Sequence, residues 1–215
     1  MKLVEILQGL EKRTVKWNTY FDDYEKHLNK YVQQNPTVLE IGVAEGGSLE
    51  MWSKYFVNGS IHGMDLDQRI MDYKYSQPNI FTHHGDQSSD EYWDYFNNHT
   101  NIMFDVIIDD GSHVNSHQIL TLLNLFPRLK NNGTYVIEDT HTSYWQPYEG
   151  GLLKQGTFIE TVKGLIDFLH RQHIDAHLNE KMVDIFKDLK SIQFYNSMVV
   201  LEKQPLVEMK PYGKI

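Results

Sequence analysis

The sequence contains no cysteine among its 215 residues. This absence excludes disulfide bonds, thiolate zinc sites, iron–sulfur clusters and a cysteine nucleophile. Any bound metal has to be held by carboxylate, imidazole or carbonyl groups or by water, and such ligands suit Mg²⁺ or Mn²⁺. A chain of this length can bury a sizeable hydrophobic core without covalent cross-links.

Long apolar runs are also missing from the sequence. No segment approaches the roughly 18–20 unbroken apolar residues of a membrane span, so we expect no membrane partner. Glu5 and Glu11 interrupt the apolar pattern of the first residues, which is not how a secretory signal is built. We therefore expect a cytoplasmic protein.

Basic residues are scarce relative to acidic ones. The chain has 20 Lys and Arg against 29 Asp and Glu, which gives a net charge of −9. Proteins that bind a phosphate backbone need clustered Lys and Arg. We therefore expect no nucleic-acid partner.

The spacing of apolar residues changes along the chain. Helical spacing over 2–13 and 17–33 predicts two N-terminal helices, and short β-rich runs alternate with helical stretches from residue 36 onward. This alternation is typical of an α/β fold with a doubly wound, mostly parallel sheet. We predict an N-terminal helical extension at 1–35, a main domain at 36–205 and a tail at 206–215. The predicted strands are 37–41, 61–66, 79–83, 104–109, 134–137, 191–195 and 198–202, and the last two are predicted to form an antiparallel pair. The predicted helices of the main domain are 48–56, 88–96, 114–129 and 157–171. A turn is predicted at 132–133.

Five successive predicted strands end in acidic residues or glycines, at their last residues or directly after them. Ligands of open parallel sheets bind beyond the carboxyl ends of the strands, so these residues should meet at one edge. The five groups are Glu40 with Gly42, Glu45, Gly46 and Ser48; Asp65; Asp86 with Gln87; Asp109 with Asp110 and His113; and Glu138 with Asp139 and His141.

The first of these loops favours a ligand that carries positive charge. Gly42 and Gly46 permit a tight turn and a close approach of the backbone to a ligand. The acids Glu40 and Glu45 would repel a pyrophosphate. Asp65, 23 residues beyond Gly42, stands where a carboxylate can accept from both hydroxyls of a ribose.

The segments VLEIGVAEGGS, IHGMDLD and HHGDQ resemble the class I methyltransferases that use S-adenosylmethionine. The resemblance covers roughly residues 36–203 and implies a Rossmann-like sheet of seven strands with an antiparallel last strand. It implies that Glu40 and the loop from Gly42 to Gly46 lie near the methionine part of the cofactor, Asp65 on the ribose and Asp86 near the adenine. The further candidate cofactor contacts are Glu45, Ser48, Gln87 and Asp109.

The segments FDVIIDDGSH and YVIEDTHTSYW resemble the metal-dependent sugar O-methyltransferases of macrolide and related pathways. This resemblance implies that Asp110, Glu138 and Asp139 hold Mg²⁺ (or Mn²⁺) and that His113 is the general base. The acceptor would be a sugar hydroxyl of a glycosylated natural product or a glycan precursor. The chemistry is consistent, because neighbouring carboxylates repel one another without a cation, and an imidazole titrates near neutral pH.

Several alternatives stay open at this point. The acceptor could instead be a catechol-like or other small diol, and the fold could serve a binding protein without turnover. Asp109 is the alternative ligand to Asp110, and His141 the alternative base. Glu138 and Asp139 could be turn residues, and His113 a structural histidine.

Two groups of aromatic residues are candidates for the acceptor site. Candidate acceptor contacts follow the fifth predicted strand: His141, Tyr144, Trp145 and Tyr148. A second set, Trp17, Tyr20, Phe21 and Tyr24, is more typical of a core or of the surface of a homo-oligomer than of an acceptor site.

Overall fold

A seven-stranded mixed β-sheet forms the centre of the computed structural model, which describes residues 2–213. Met1 of the predicted extension and residues 214–215 of the predicted tail lie outside the described residues. The strand order is β3-β2-β1-β4-β5-β7-β6, with β1 to β5 parallel and β7 antiparallel to both of its neighbours. The predicted α/β sheet with an antiparallel last strand is therefore confirmed. The strands are β1 (Thr37–Ile41), β2 (Ser60–Asp65), β3 (Ile80–His84), β4 (Phe104–Asp109), β5 (Leu129–Ile137), β6 (Leu189–Tyr195) and β7 (Met198–Lys203).

Helices cover both faces of this sheet. They are α1 (Leu3–Leu7), α2 (Tyr20–Leu28), α3 (Gly47–Tyr55), α4 (Asp90–His99), α5 (Asn115–Leu125), α6 (Phe158–Gly164), α7 (Ile166–Leu169) and α8 (Glu180–Phe186). Successive strand residues point to opposite faces, so Val38 and Val106 belong to one buried cluster and Leu39 and Ile107 to the other. Helices α1 to α3 pack in the first cluster and α4 to α8 in the second. Within residues 2–213, no helix is long and apolar enough to cross a membrane.

The N-terminal helices are shorter than predicted. Helix α1 ends at Leu7, α2 begins at Tyr20, and residues 8–19 between them form an irregular segment, called the strap below. The backbone N–H groups of Glu11 and Lys12 donate to the carboxylate of Glu50 instead of to a helical carbonyl. A contact 38–39 residues away in the sequence thus replaces the helix that local spacing predicts.

The predicted turn at 132–133 is wrong. Residues 129–137 form one strand, β5, and α5 ends at Leu125 rather than at 129. Asn132 has a positive φ of 65°, and the pairing of β4 with β5 shifts between Phe104 and Val106. The Asn132-Gly133 pair therefore belongs to an irregularity inside a strand, although the same pair of residues is typical of a turn.

The predicted helix at 157–171 is interrupted. It divides into α6, α7 and a 3₁₀ turn at Arg171–His173. Gly164, a poor helix former, ends α6. Helix α8 was not predicted; its first turn is capped by the side chain of Asn179, which accepts from the N–H of Met182.

Candidate functional site

A cavity of about 880 Å³ lies at the carboxyl edge of the parallel strands. The loops that follow β1, β2, β3 and β4 line it, and the strap contributes a further part of its wall. Parallel topology explains this position, because it brings the ends of consecutive strands to one edge. The lining residues that the sequence predicts are Gly42, Glu45, Ser48, Asp65, Asp86, Gln87 and Asp110, and those of the strap are Leu10, Lys12, Arg13, Thr14 and Val15.

The loop after β1 depends on glycine at Gly42. This residue has a φ of 85°, and a Cβ there would lie 2.1 Å from the carbonyl oxygen of Asp110. Only glycine therefore allows the loops after β1 and β4 to approach this closely. Gly46 likewise has a φ of 87°, and a Cβ there would lie 2.4 Å from the Tyr75 hydroxyl.

Asp65 holds this loop in place from the end of β2. Its Oδ2 accepts from the N–H groups of Val43 (2.7 Å) and Ala44 (3.0 Å), and its Oδ1 accepts from Asp67 N–H (2.8 Å). Asp86 accepts from the N–H (2.8 Å) and hydroxyl (2.6 Å) of Ser88, which lowers the pKa of Asp86. Both carboxylates are thus acceptors at the cavity wall, while their predicted ribose and adenine contacts stay predictions.

Glu40 and Asp109 are fully buried and bonded within the protein. Glu40 accepts from the hydroxyl of Ser48 (2.6 Å) and the indole N–H of Trp52 (3.1 Å). Asp109 accepts from Gln87 Nε2 at 3.3 Å, and burial raises the pKa of Asp109 to about 7. In this arrangement the two carboxylates support the loops around the cavity, and their predicted cofactor contacts stay predictions.

The ends of β1, β4 and β5 bring together acidic residues and one histidine, called the carboxylate cluster below. The ligand atoms of Asp110, His113 and Asp139, the outer group, lie within 4.8 Å of one another, as do those of Glu40, Asp110 and Glu138, the inner group. The predicted set of Asp110, Glu138 and Asp139 is thus divided between two groups that share Asp110. The outer group is partly exposed, whereas Glu40 and Glu138 are buried.

His113 faces two of these carboxylates. Its Nε2 lies 3.4 Å from Asp139 Oδ2 and 3.8 Å from Asp110 Oδ1. His113 and Asp139 both adopt left-handed backbone conformations, with φ of 58° and 52°. Such conformations cost about 1–3 kcal/mol each and concentrate at functional sites.

Lys16 of the strap lies inside the inner group. Its ammonium is 2.5 Å from Asp110 Oδ2, 2.9 Å from Glu138 Oε1 and 3.3 Å from Glu40 Oε1. Burial by itself would lower the pKa of Lys16, but the charges of Asp110 and Glu138 outweigh it and hold this pKa well above its usual value. Burial, together with the charge of Asp110, raises the pKa of Glu138. Lys16 was not predicted as a site residue, since nothing local marks a lysine whose partners are 24 to 122 residues away.

The aromatic set of α2 and the strap also reaches the cluster. Trp17 Nε1 and the Tyr20 hydroxyl donate to Asp139 Oδ1 at 2.9 and 2.7 Å, and the Tyr24 hydroxyl donates to Glu138 Oε1. The predicted role in a core holds for Tyr20, Phe21 and Tyr24, which are buried. The polar ends of the two tyrosines were not predicted to touch the site.

A row of four aromatic rings lies beside the carboxylate cluster, with Trp17 and Trp145 exposed and His141 and Tyr148 half-buried. The ring of His141 lies 4.5 Å from that of Trp145 and 6.3 Å from that of Trp17, and Trp145 lies 6.1 Å from Tyr148. Trp17 and Trp145 are 57% and 50% exposed, so this aromatic row presents a wide apolar surface beside the acids. Tyr144 is exposed too, and its ring pairs with none of the described aromatic rings.

Comparisons with known proteins extend this picture. Residues 39–140 match the family model of a methyltransferase domain. The chain is 35% identical over 191 residues to mycinamicin VI 2''-O-methyltransferase of Micromonospora griseorubida, covering 84% of this chain and 47% of that protein. It is 32% identical over 210 residues to 8-demethyl-8-alpha-L-rhamnosyl tetracenomycin-C 2'-O-methyltransferase of Streptomyces olivaceus, covering 92% of this chain and 54% of that protein.

A solved structure of a methyltransferase is also similar to this chain. The MycE methyltransferase from the mycinamycin biosynthetic pathway, in complex with Mg and SAH, superimposes with a TM-score of 0.82 at 30% identity. The match covers 95% of this chain and 55% of that chain. The chain thus spans about half the length of the curated relatives it matches.

Proposed function

We propose, from the premise that this chain contains a methyltransferase domain, that it is an S-adenosylmethionine-dependent O-methyltransferase. The proposed acceptor is a hydroxyl of a sugar, in a glycosylated natural product or a glycan precursor. Two findings support the choice of a sugar: the similarity to sugar O-methyltransferases over 84–92% of the chain, and a MycE complex that holds Mg, SAH and mycinamycin VI.

The observation that carries the proposal is the meeting of His113 with Asp110 and Asp139 next to the cavity. Asp110 belongs to both places: its side chain lies in the carboxylate cluster, and the residue lines the cavity. A methyl donor in the cavity and an acceptor hydroxyl at the cluster would therefore be neighbours. Such proximity is what a direct transfer between two bound molecules requires.

The carboxylate cluster fits a divalent ion. We propose Asp110, Glu138 and Asp139 as the residues that hold Mg²⁺ or Mn²⁺, because carboxylate oxygens are the donors these ions prefer. Asp110 binds Lys16 through Oδ2, and Asp139 binds Trp17 through Oδ1, so one oxygen of each carboxylate remains on the side of His113. A divalent ion supplies Lewis acidity, which makes a neighbouring hydroxyl easier to deprotonate.

His113 is the proposed general base. It accepts the proton of the acceptor hydroxyl while the hydroxyl oxygen bonds to the methyl carbon and the carbon–sulfur bond breaks, releasing S-adenosylhomocysteine. The imidazolium that results is stabilised by the carboxylate of Asp139, 3.4 Å from Nε2. A positioned base of this kind contributes roughly 10²–10⁴-fold to a rate.

The cavity supplies the proposed contacts to the methyl donor. Gly42 brings the backbone close to the ligand, Asp65 accepts from its ribose, and Asp86 with Gln87 faces its adenine. All four residues line the cavity. Acidic walls also suit the positive charge that the sulfur carries.

The aromatic row is the proposed contact surface for the acceptor. Trp145, His141 and Tyr148 were candidates from the sequence, and the position of Trp17 adds a fourth ring from the strap. Flat apolar rings beside hydrogen-bonding acids suit a sugar, which presents both C–H faces and hydroxyl groups. Tyr144 stays a candidate at the edge of this surface.

Calorimetric titration with S-adenosylhomocysteine, with and without Mg²⁺, tests the proposal first. We expect micromolar binding to the wild-type chain and its loss in Asp65→Ala, because Asp65 both orders the Gly42 loop and faces the ligand. Turnover assays with glycosylated acceptors and with a catechol then separate the two acceptor classes. Absence of binding under every condition would contradict the methyltransferase proposal, and binding without turnover of any acceptor would favour a binding protein.

A further inference from the structure

Lys16 is a buried charge that the proposed reaction does not use. Its side chain is 1% exposed, and its ammonium contacts three carboxylates: Asp110 at 2.5 Å, Glu138 at 2.9 Å and Glu40 at 3.3 Å. A fully desolvated ammonium is unfavourable unless paired, and two buried carboxylates beside a partly exposed third are unfavourable without a cation. Each side of this arrangement therefore requires the other.

Hydrogen bonds on both sides of Lys16 hold this part of the strap in place. The N–H groups of Glu11 and Lys12 donate to the Glu50 carboxylate, and Arg13 O accepts from Gly47 N–H at 3.1 Å. Directly after Lys16, Trp17 is anchored by its indole N–H on Asp139. The backbone is thus tied down on both sides of the lysine.

Side chains of the N-terminal region donate to only one oxygen of each proposed metal ligand. Lys16 contacts Oδ2 of Asp110 and Oε1 of Glu138, and Trp17 contacts Oδ1 of Asp139. The second oxygens of Asp110 and Asp139 face His113. Among residues 2–213, no side chain donates a hydrogen bond to Oε2 of Glu138. The arrangement leaves one oxygen of each proposed ligand available for a different cation.

We propose that Lys16 is a positioning residue that acts as a built-in cation. Its ammonium fills the inner group of Glu40, Asp110 and Glu138, so the cluster binds one divalent ion instead of two. It also binds Oδ2 of Asp110, so that Oδ1 of the same carboxylate is directed toward His113. This inference rests on the proposed metal site and assigns the strap a role in assembling it.

Counting bound Mn²⁺ tests the inference, by electron paramagnetic resonance and calorimetry on the full chain. We expect one Mn²⁺ per wild-type chain and two in Lys16→Ala, because the inner group then lacks a cation. n-Propylammonium, which restores the missing part of the side chain, should return Lys16→Ala to one Mn²⁺. A purely structural lysine would not give this recovery.

Lys30→Ala is the matched control. Lys30 also lies 3.3 Å from a glutamate, Glu202, but is exposed and remote from the cluster. Its removal should leave the count at one. The comparison separates loss of a cation at the cluster from loss of any lysine–glutamate pair.

The other outcomes are equally decisive. Two Mn²⁺ in the wild-type chain, or one in Lys16→Ala with wild-type affinity and no response to propylammonium, would overturn the inference. If Lys16→Ala fails to fold, Lys16→Met, which keeps most of the length of the side chain without its charge, replaces it, and the wild-type count still applies. A wild-type chain that binds neither Mn²⁺ nor S-adenosylhomocysteine would instead contradict the proposed function.

Discussion

Replacement of Gly42 by alanine tests the geometry that joins the cavity to the carboxylate cluster. The new Cβ would meet the Asp110 carbonyl oxygen at 2.1 Å, and the backbone would keep a φ of 85°. Gly156→Ala is a matched control, since Gly156 has a φ of 82° and nothing lies within 4 Å of the place that its Cβ would take. Any difference between the two variants therefore reports the close approach and not the left-handed backbone.

The expected magnitudes follow from this comparison. A left-handed alanine costs about 1–2 kcal/mol, which applies to both variants. The clash in Gly42→Ala forces backbone to move and adds about 1–3 kcal/mol. For a chain of this size 1 kcal/mol corresponds to roughly 2–4 °C, so Gly42→Ala should melt about 2–12 °C below Gly156→Ala.

Thermal unfolding followed by fluorescence, with and without S-adenosylhomocysteine, measures both effects. The ligand should raise the melting temperature of Gly156→Ala as it does that of the wild-type chain, and should raise that of Gly42→Ala less. The reason is that Gly42 lines the cavity and its neighbour Asp110 would be displaced. Equal melting temperatures for the two variants would refute the close-approach argument.

Four further outcomes are expected. Asp110→Asn should abolish turnover while calorimetry still detects S-adenosylhomocysteine binding. His113→Ala should reduce kcat by roughly 10²–10⁴-fold with unchanged Mn²⁺ affinity; a loss of that affinity would make His113 a ligand instead of a base. Chelation of divalent ions by EDTA should stop turnover, and added Mg²⁺ should restore it. Burial and the charge of His83 lower the pKa of His62 to about 4. As the pH falls from 6.5 to 4, His62 therefore becomes protonated in the unfolded chain but not in the folded one. Stability should fall over that range by as much as about 3 kcal/mol, and denaturant titrations should show a smaller fall for His62→Gln.

Local patterns predicted the sheet because its strands are continuous and apolar. Five of the seven strands are joined by parallel pairing, which carries each of their ends to the same edge without any further information. Asp65, Asp86 and Asp110 therefore line one cavity although they lie far apart in the sequence. The turn predicted at Asn132 is wrong for a local reason. Asparagine tolerates a positive φ, and residues in turns and in irregular strands can both adopt it.

The strap was beyond prediction because its conformation depends on distant acids. Leu7 and Leu10 have helical spacing with the residues before them, yet the chain leaves the helix at Leu7. Glu50 accepts from the N–H groups of Glu11 and Lys12, and Lys16 forms ion pairs with Asp110 and Glu138. These partners are 38 to 122 residues away, so no window of local sequence contains both sides of any of these contacts.

Tyr20 shows how the fold and the site depend on one another. Its ring is buried in the core, as its place in the aromatic set predicts, and its hydroxyl reaches the end of β5. That hydroxyl accepts from Asp139 N–H at 3.0 Å and donates to Asp139 Oδ1 at 2.7 Å, so it holds both the left-handed backbone and the side chain of one residue. Hydrogen bonds to charged groups contribute about 1.5–3 kcal/mol, which is comparable to the cost of that backbone conformation. The packing of α2 against the sheet therefore stabilises the strained residue on which the outer group of the cluster depends, and the N-terminal region belongs to the site as much as to the core.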